Sequence, residues 1–122
     1  MKRETLEWVD MSEVDLQVAE AVLERELYAP CVFHSQQAVE KMLKAIWVEG
    51  GREDAPPYTH NLVDLARELG LLQPDREEFL RRLSNQAIAS RYAGKETYDR
   101  AMAVQYYERS LQLCEQLRQT MK

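Results

Sequence analysis

The sequence predicts an all-α protein, an antiparallel up-down bundle of four to five helices. Three observations carry that expectation. Apolar residues recur at three- and four-residue spacing in five successive segments, the period of a helix face. Only four Gly and four Pro occur in 122 residues, which leaves little room for hairpin turns. Those Gly and Pro fall largely between the periodic segments rather than inside them. The length suits one domain spanning residues 1–122, with a single core and little to spare.

The first helix is expected from about Glu4 to Leu27, with Trp8, Met11, Val18 and Val22 as a stripe widened by Leu16, Ala19, Leu23 and Leu27. The corner Tyr28-Ala29-Pro30 separates it from a second helix, whose first turn suits Pro30 because the missing N–H costs nothing there. This helix reaches Val48 or Glu49 and stops at Gly50-Gly51. A loop with Pro56-Pro57 follows, then a short helix from His60 to Leu69 with Thr59 as N-cap and Gly70 as terminator. Pro74 opens a fourth helix to about Ser90, burying Phe79, Leu80, Leu83, Ala87 and Ile88. After a break over residues 91–97, a last helix runs from about Tyr98 to Arg118. Ala103, Tyr107, Ser110, Leu111, Cys114 and Leu117 mark its inner side.

Charge is unevenly spread. Residues 1–30 hold three basic and eight acidic side chains, so they account for the whole net charge of −5. That balance does not attract nucleic acid in bulk. Residues 76–100 hold six basic against four acidic residues, a modest patch able to meet a phosphate or to stay solvated. Cys31 and Cys114 lack metal-ligand spacing and sit among apolar helical residues, as buried free thiols do. Neither a His-Glu-x-x-His motif nor a Cys/His cluster occurs, so no metal and no cofactor is expected. No apolar run approaches the roughly 18 residues of a membrane span, and the expected location is the cytoplasm.

Residues 33–47 are the densest in chemistry. His34, Gln37, Lys41 and Lys44 recur at spacings of three, four and three, and so line one face of the second helix; Gln36 and Glu40 form a further pair one turn apart. Lys41 and Lys44 in a groove supply two cationic donors for a phosphate, with His34 as donor or proton acceptor and Gln37 as reader of a base or ribose edge. Asp15 interrupts the apolar stripe of the first helix and needs a partner, for which Lys41 or His34 serves. The competing reading is an interhelical polar network that fixes packing register, with Lys44 reaching out to solvent. His60 is a second candidate, or else a local hydrogen-bonding group of a helix start. Arg91-Tyr92 stands at the break before the last helix, where Arg91 either clamps a phosphate or caps the carbonyls ending the fourth helix. Trp8, Met102, Tyr106 and Tyr107 either line a homodimer face or complete the core.

The chain resembles the HEPN family, small helical-bundle proteins of prokaryotes with relatives in higher eukaryotes. The likeness rests on Asp15-Leu16 with Ala19, on Phe33-x-x-Gln36-Gln37-Ala38-x-Glu40-Lys41-x-Leu43-Lys44-Ala45, on Thr59-His60-Asn61-Leu62 and on Arg91-Tyr92, in that order over about residues 8–115. The resemblance implies a helical bundle, usually a homodimer, commonly encoded beside a minimal nucleotidyltransferase in a toxin–antitoxin-like module. Many members are metal-independent endoribonucleases that carry an Arg followed, after four to six residues, by a His near the last helix. In this chain Glu96, Thr97 and Tyr98 occupy the three places where that His would follow Arg91. The proton-transfer partner for a ribose 2′-hydroxyl is therefore missing from that motif. The resemblance thus points to the members that bind nucleotides without cutting RNA. The expected function is a non-catalytic nucleotide-binding or nucleotidyltransferase-partner protein. Two alternatives stand beside it: an endoribonuclease using Arg91 with His34 or His60, and a pure dimerisation or interaction module.

Overall fold

The structure, a computed structural model, describes every residue except Ala93, Lys95 and Glu96. The expected break at 91–97 therefore lies partly outside the described residues. Among the described residues there are five helices: α1 (Arg3–Glu24), α2 (Tyr28–Glu49), α3 (Leu62–Glu68), α4 (Pro74–Ala89) and α5 (Arg100–Gln119). No described residue is in a strand.

Helix α2 is the axis of the bundle and packs against all four others. Its buried residues go round most of its circumference, among them the apolar Val32, Val39, Met42, Leu43 and Trp47, but also Ser35, Gln36, Glu40 and Lys44. A helix buried on most sides belongs at a core's centre. Helix α1 runs antiparallel to it. The hydroxyl of Thr5 donates to Glu49 Oε1 at 2.9 Å, and the Lys2 amide donates to the same oxygen at 3.0 Å. These bonds, the amide's first, hold the Glu49 carboxyl below the usual carboxylate range. Helix α5 is also antiparallel to α1: the Tyr107 hydroxyl donates to Glu20 at 3.0 Å, and Arg118 pairs with Glu13.

The inner face of α1 differs from the expected stripe. Thr5, Val9, Ser12, Leu16 and Ala19 are buried together with Asp15, whereas Met11 and Val14 are exposed. Small residues decide this face. The Ser12 hydroxyl donates to the Ala38 carbonyl of α2 at 2.7 Å, which requires the two backbones to come close. A stripe of bulky side chains would hold them apart. Ile88 of α4 is 63% exposed rather than buried, and Leu113 takes the inner position expected of Leu111.

Helix ends follow local chemistry. The corner between α1 and α2 is Arg25–Leu27, not Tyr28–Pro30. Glu26 adopts φ 62°, the Glu26 amide donates to Leu23 O at 3.0 Å, and the Leu27 amide to Val22 O at 2.8 Å. This is the Schellman pattern, usually built on Gly. Gly70 (φ 70°) makes the same pattern after α3, through Gly70 N to Arg67 O and Leu71 N to Ala66 O. The N-cap of α3 is Asn61, whose Oδ1 accepts from the Asp64 amide at 3.1 Å; the expected cap, Thr59, instead accepts from the Asn61 amide. Pro74 occupies the first turn of α4, and Asp99 caps α5 through the Met102 amide. Among the described residues, no helix is long and apolar enough to cross a membrane.

Candidate functional site

The polar face of α2 is organised around two carboxylates. Asp15, projecting from α1, accepts from His34 Nδ1 at 2.8 Å and from Lys41 Nζ at 2.5 Å. An ionised carboxylate only accepts, so His34 carries a proton on Nδ1 and its Nε2 is left for other work. Asp15 is buried, while the side chains of His34 and Lys41 are 29% and 26% exposed. The expectation that Asp15 partners Lys41 or His34 is met by both at once.

Glu40 organises the second cluster from within α2. Its Oε1 accepts from His60 Nδ1 at 2.7 Å and from Gln36 Nε2 at 3.2 Å; its Oε2 accepts from Lys44 Nζ at 3.1 Å. Gln37 Nε2 donates in turn to Gln36 Oε1 at 2.6 Å. Lys44 is only 7% exposed, with its ammonium 5.8 Å from the ring centroids of both Trp8 and Tyr58. This corrects two expectations. Lys44 is not a donor facing an open groove, and it does not extend to solvent. A buried ammonium must be paired, and Glu40 one turn earlier supplies the pair. Glu40 itself is the residue underweighted by sequence reading. Its spacing from Gln36 and Lys44, one turn on either side, is the signal that points to it.

Arg91 joins the first cluster. Its guanidinium lies 5.0 Å from the Phe33 ring centroid, and Phe33 meets the His34 ring edge-on at 5.2 Å between centroids. Backbone bonds close α4 instead of the Arg91 side chain: Ser90 N donates to Gln86 O and Arg91 N to Ile88 O. Tyr92 is exposed and shows no described contact with these groups. Tyr98 is buried, with its hydroxyl donating to Gln86 and its phenol raised above the usual range by loss of solvent. The structure therefore brings Arg91, His34, Asp15 and Lys41 into one array, and links Gln37 through Gln36 to the Glu40 cluster holding Lys44 and His60.

The four residues considered for a dimer face do not form one patch. Trp8 lies against Lys44, and Tyr107 reaches Glu20, twelve residues or about 18 Å further along α1. Met102 and Tyr106 line a shallow α4–α5 groove with Phe79. Among the described residues, no group of three or more His, Cys, Asp and Glu side chains is placed to hold a metal ion.

A five-helix bundle with a polar spine on its central helix is thus the class that fold and site define. The HEPN domain model matches residues 5–122, and the chain belongs to that family. TT1696 from Thermus thermophilus superposes with a TM-score of 0.87 at 23% identity, covering 97% of this chain and 98% of that one. ST0689, described as an archaeal HEPN homologue, superposes with a TM-score of 0.79 at 23% identity over the full length of both chains. At that identity the likeness concerns the fold. No curated protein matches the chain by sequence.

Proposed function

We propose that this HEPN-domain protein is a non-catalytic binding component that engages a nucleotide, or a minimal nucleotidyltransferase partner, in a toxin–antitoxin-like pair of proteins. The binding face runs from Arg91 past Phe33 and His34 to Lys41 and Gln37. The observation carrying this reading is the Asp15–His34–Lys41 cluster, with Arg91 one aromatic ring away. Asp15 holds one imidazole and one ammonium at a partly open surface, and Arg91 is exposed on the far side of Phe33. Three donors of this kind suit a phosphate, and the Gln37 amide is one helical turn from Lys41. As a homodimer the protein would present two such faces. The test is equilibrium binding of a panel of nucleoside mono-, di- and triphosphates to the wild type and to Arg91→Glu/Lys41→Gln. Binding that disappears in a folded double variant supports the site; affinity that survives unchanged removes it. Mass spectrometry of protein co-purified from its native host tests the partner arm. Burial of Tyr98 directs any nucleotidyl adduct to an exposed phenol such as Tyr92.

One observation favours a second reading. Asp15 fixes the tautomer of His34 so that Nε2 is its free ring nitrogen, and Arg91 lies over the Phe33 ring that meets His34 edge-on. An oriented imidazole with a guanidinium one aromatic ring away is the kind of equipment that metal-independent RNA cleavage uses. On this reading the imidazole missing from the Arg91 motif is supplied by another helix. Cleavage of a mixed RNA in chelator that is lost in His34→Ala but kept in His60→Ala would establish it; no cleavage by the wild type would end it.

A further inference from the structure

On the opposite side of the Glu40 cluster from Lys44, His60 forms part of the wall of a cleft between α3 and α4 of about 410 Å³. That volume is in the range of small-ligand sites. Arg67 and Arg81 face it, each steadied by a carboxylate: Arg67 bonds Asp64 at 3.2 Å and lies 3.8 Å from Glu77, while Arg81 bonds Glu77 at 3.3 Å. The two guanidiniums and two carboxylates cancel in charge, yet each guanidinium has more N–H groups than these contacts use. Asn85 adds a side-chain amide to the wall. The remaining charge is decided by His60. Its Nδ1 is committed to Glu40, so Nε2 is the nitrogen available to the cleft. Glu40 is already neutralised by Lys44 inside the bundle, so a proton on His60 is surplus charge delivered to the cleft.

We propose that the α3–α4 cleft is a second, proton-linked anion site that takes the phosphate group of a small molecule through His60, Arg81, Arg67 and Asn85. It is separate from the Arg91–His34–Lys41 face. The groups that set the charge on His60 are Glu40 and Lys44 from α2, Asp64 and Arg67 from α3, and Glu77 and Arg81 from α4. An anion in the cleft favours the imidazolium, which donates from both ring nitrogens. Affinity therefore rises as pH falls, because the protonated ring is the form that carries the extra charge.

The chain has two histidines, so the two faces can be followed separately by long-range nitrogen–proton NMR of the imidazole rings. The probes are inorganic phosphate and sulfate, at constant ionic strength balanced with chloride. Sulfate keeps its charge across neutral pH, which isolates the proton taken up by the protein. The expected result is a saturable shift of the His60 signals by both ions. Sulfate should bind about fivefold or more tightly at pH 6 than at pH 8. Arg81→Gln should weaken binding roughly tenfold, the effect of one charge-assisted bond. A His60 shift that does not saturate, or that is equal in Arg81→Gln and at both pH values, overturns the proposal. The His34 signals report the other face in the same titration, so failure at one site is distinguishable from failure at the other. His60→Gln, which retains a donor toward Glu40, should remove the pH dependence while leaving the bundle folded by circular dichroism. A pH dependence that persists in that variant also counts against the proposal.

Discussion

Asp15 and Glu40 each gather one lysine and one histidine through Nδ1, so the two clusters along α2 share one set of charged groups. They differ in what is sealed. Around Asp15 the carboxylate is buried and both cations reach the surface. Around Glu40 the carboxylate and its lysine are both buried, Gln36 fills a further acceptor position, and His60 alone is exposed to any extent. Exposure sets what each group can do. A sealed ion pair cannot donate to a ligand, but it costs a great deal to break. A half-open pair contributes less to stability and keeps donors for other partners.

The largest expected effect follows from the sealed cluster. Lys44→Met leaves Glu40 as a buried carboxylate with one ammonium fewer, and Glu40→Gln leaves Lys44 uncompensated. Each should cost about 3–5 kcal/mol of stability, because removing one member of a buried pair strands the other. The double variant Lys44→Met/Glu40→Gln should recover much of that loss. Urea unfolding of the four proteins gives the coupling directly. Additive single effects would mean the pair is not the unit it looks to be.

The thiols test how tightly the bundle is closed around these clusters. Burial pushes Cys31 up to about 11 and Cys114 up to about 12, against a reference of 9.0. At pH 8 the thiolate fraction should fall roughly 100- and 1,000-fold below that of a free thiol, with access reduced further. Native protein should therefore resist alkylation. The sign for stability is that of a raised group: the contribution is complete below the unfolded thiol range and is lost as pH rises toward 11 and beyond. Alkylation kinetics should accelerate in Lys44→Met far more than in Lys41→Met. Equal acceleration in the two variants would erase the distinction between the clusters.

The half-open cluster predicts a smaller loss. Lys41→Met removes an ammonium that is about a quarter exposed, and Asp15 keeps His34 as a partner. The cost should be about 1–2 kcal/mol, reduced from the buried-pair value by solvent screening. Ligand affinity on the Arg91 face should drop at the same time. A loss as large as that of Lys44→Met would show that Asp15 is a structural anchor first, with little spare capacity for binding.

The legibility of these features in the sequence follows the strength of their periods. The five helices are readable because Gly70, Pro74 and Gly50-Gly51 punctuate strong apolar spacing. The inner face of α1 departs from its pattern for a physical reason. Met11 dominates a hydrophobicity pattern, but close approach to α2 is governed by Thr5, Ser12 and Ala19, which are small. In the site, the pairing of Asp15 with His34 and Lys41 is foreseeable because a carboxylate on an apolar stripe must find a cation. The fate of Lys44 is not. One helix face seen in isolation does not reveal that Trp8 of α1 and the loop before α3 flank that position and that this loop brings His60 onto Glu40.

The smallest effect has the opposite sign. Asp15 meets His34 and Lys41 only if α2 starts in the right place after α1, and that placement depends on Glu26 at φ 62°. The equivalent corner after α3 uses Gly70, which adopts this conformation without a Cβ penalty. Glu26 takes the same backbone shape at a cost of about 1 kcal/mol. Its side chain is exposed, so little packing is lost on replacement. Glu26→Gly should therefore stabilise the protein by up to about 1 kcal/mol, partly offset by the greater freedom of Gly in the unfolded chain. Both clusters should remain intact, seen as unchanged His34 and His60 ring signals. A destabilised Glu26→Gly would show that the Glu26 side chain itself holds the corner, and that the alignment of α1 with α2 depends on more than backbone geometry.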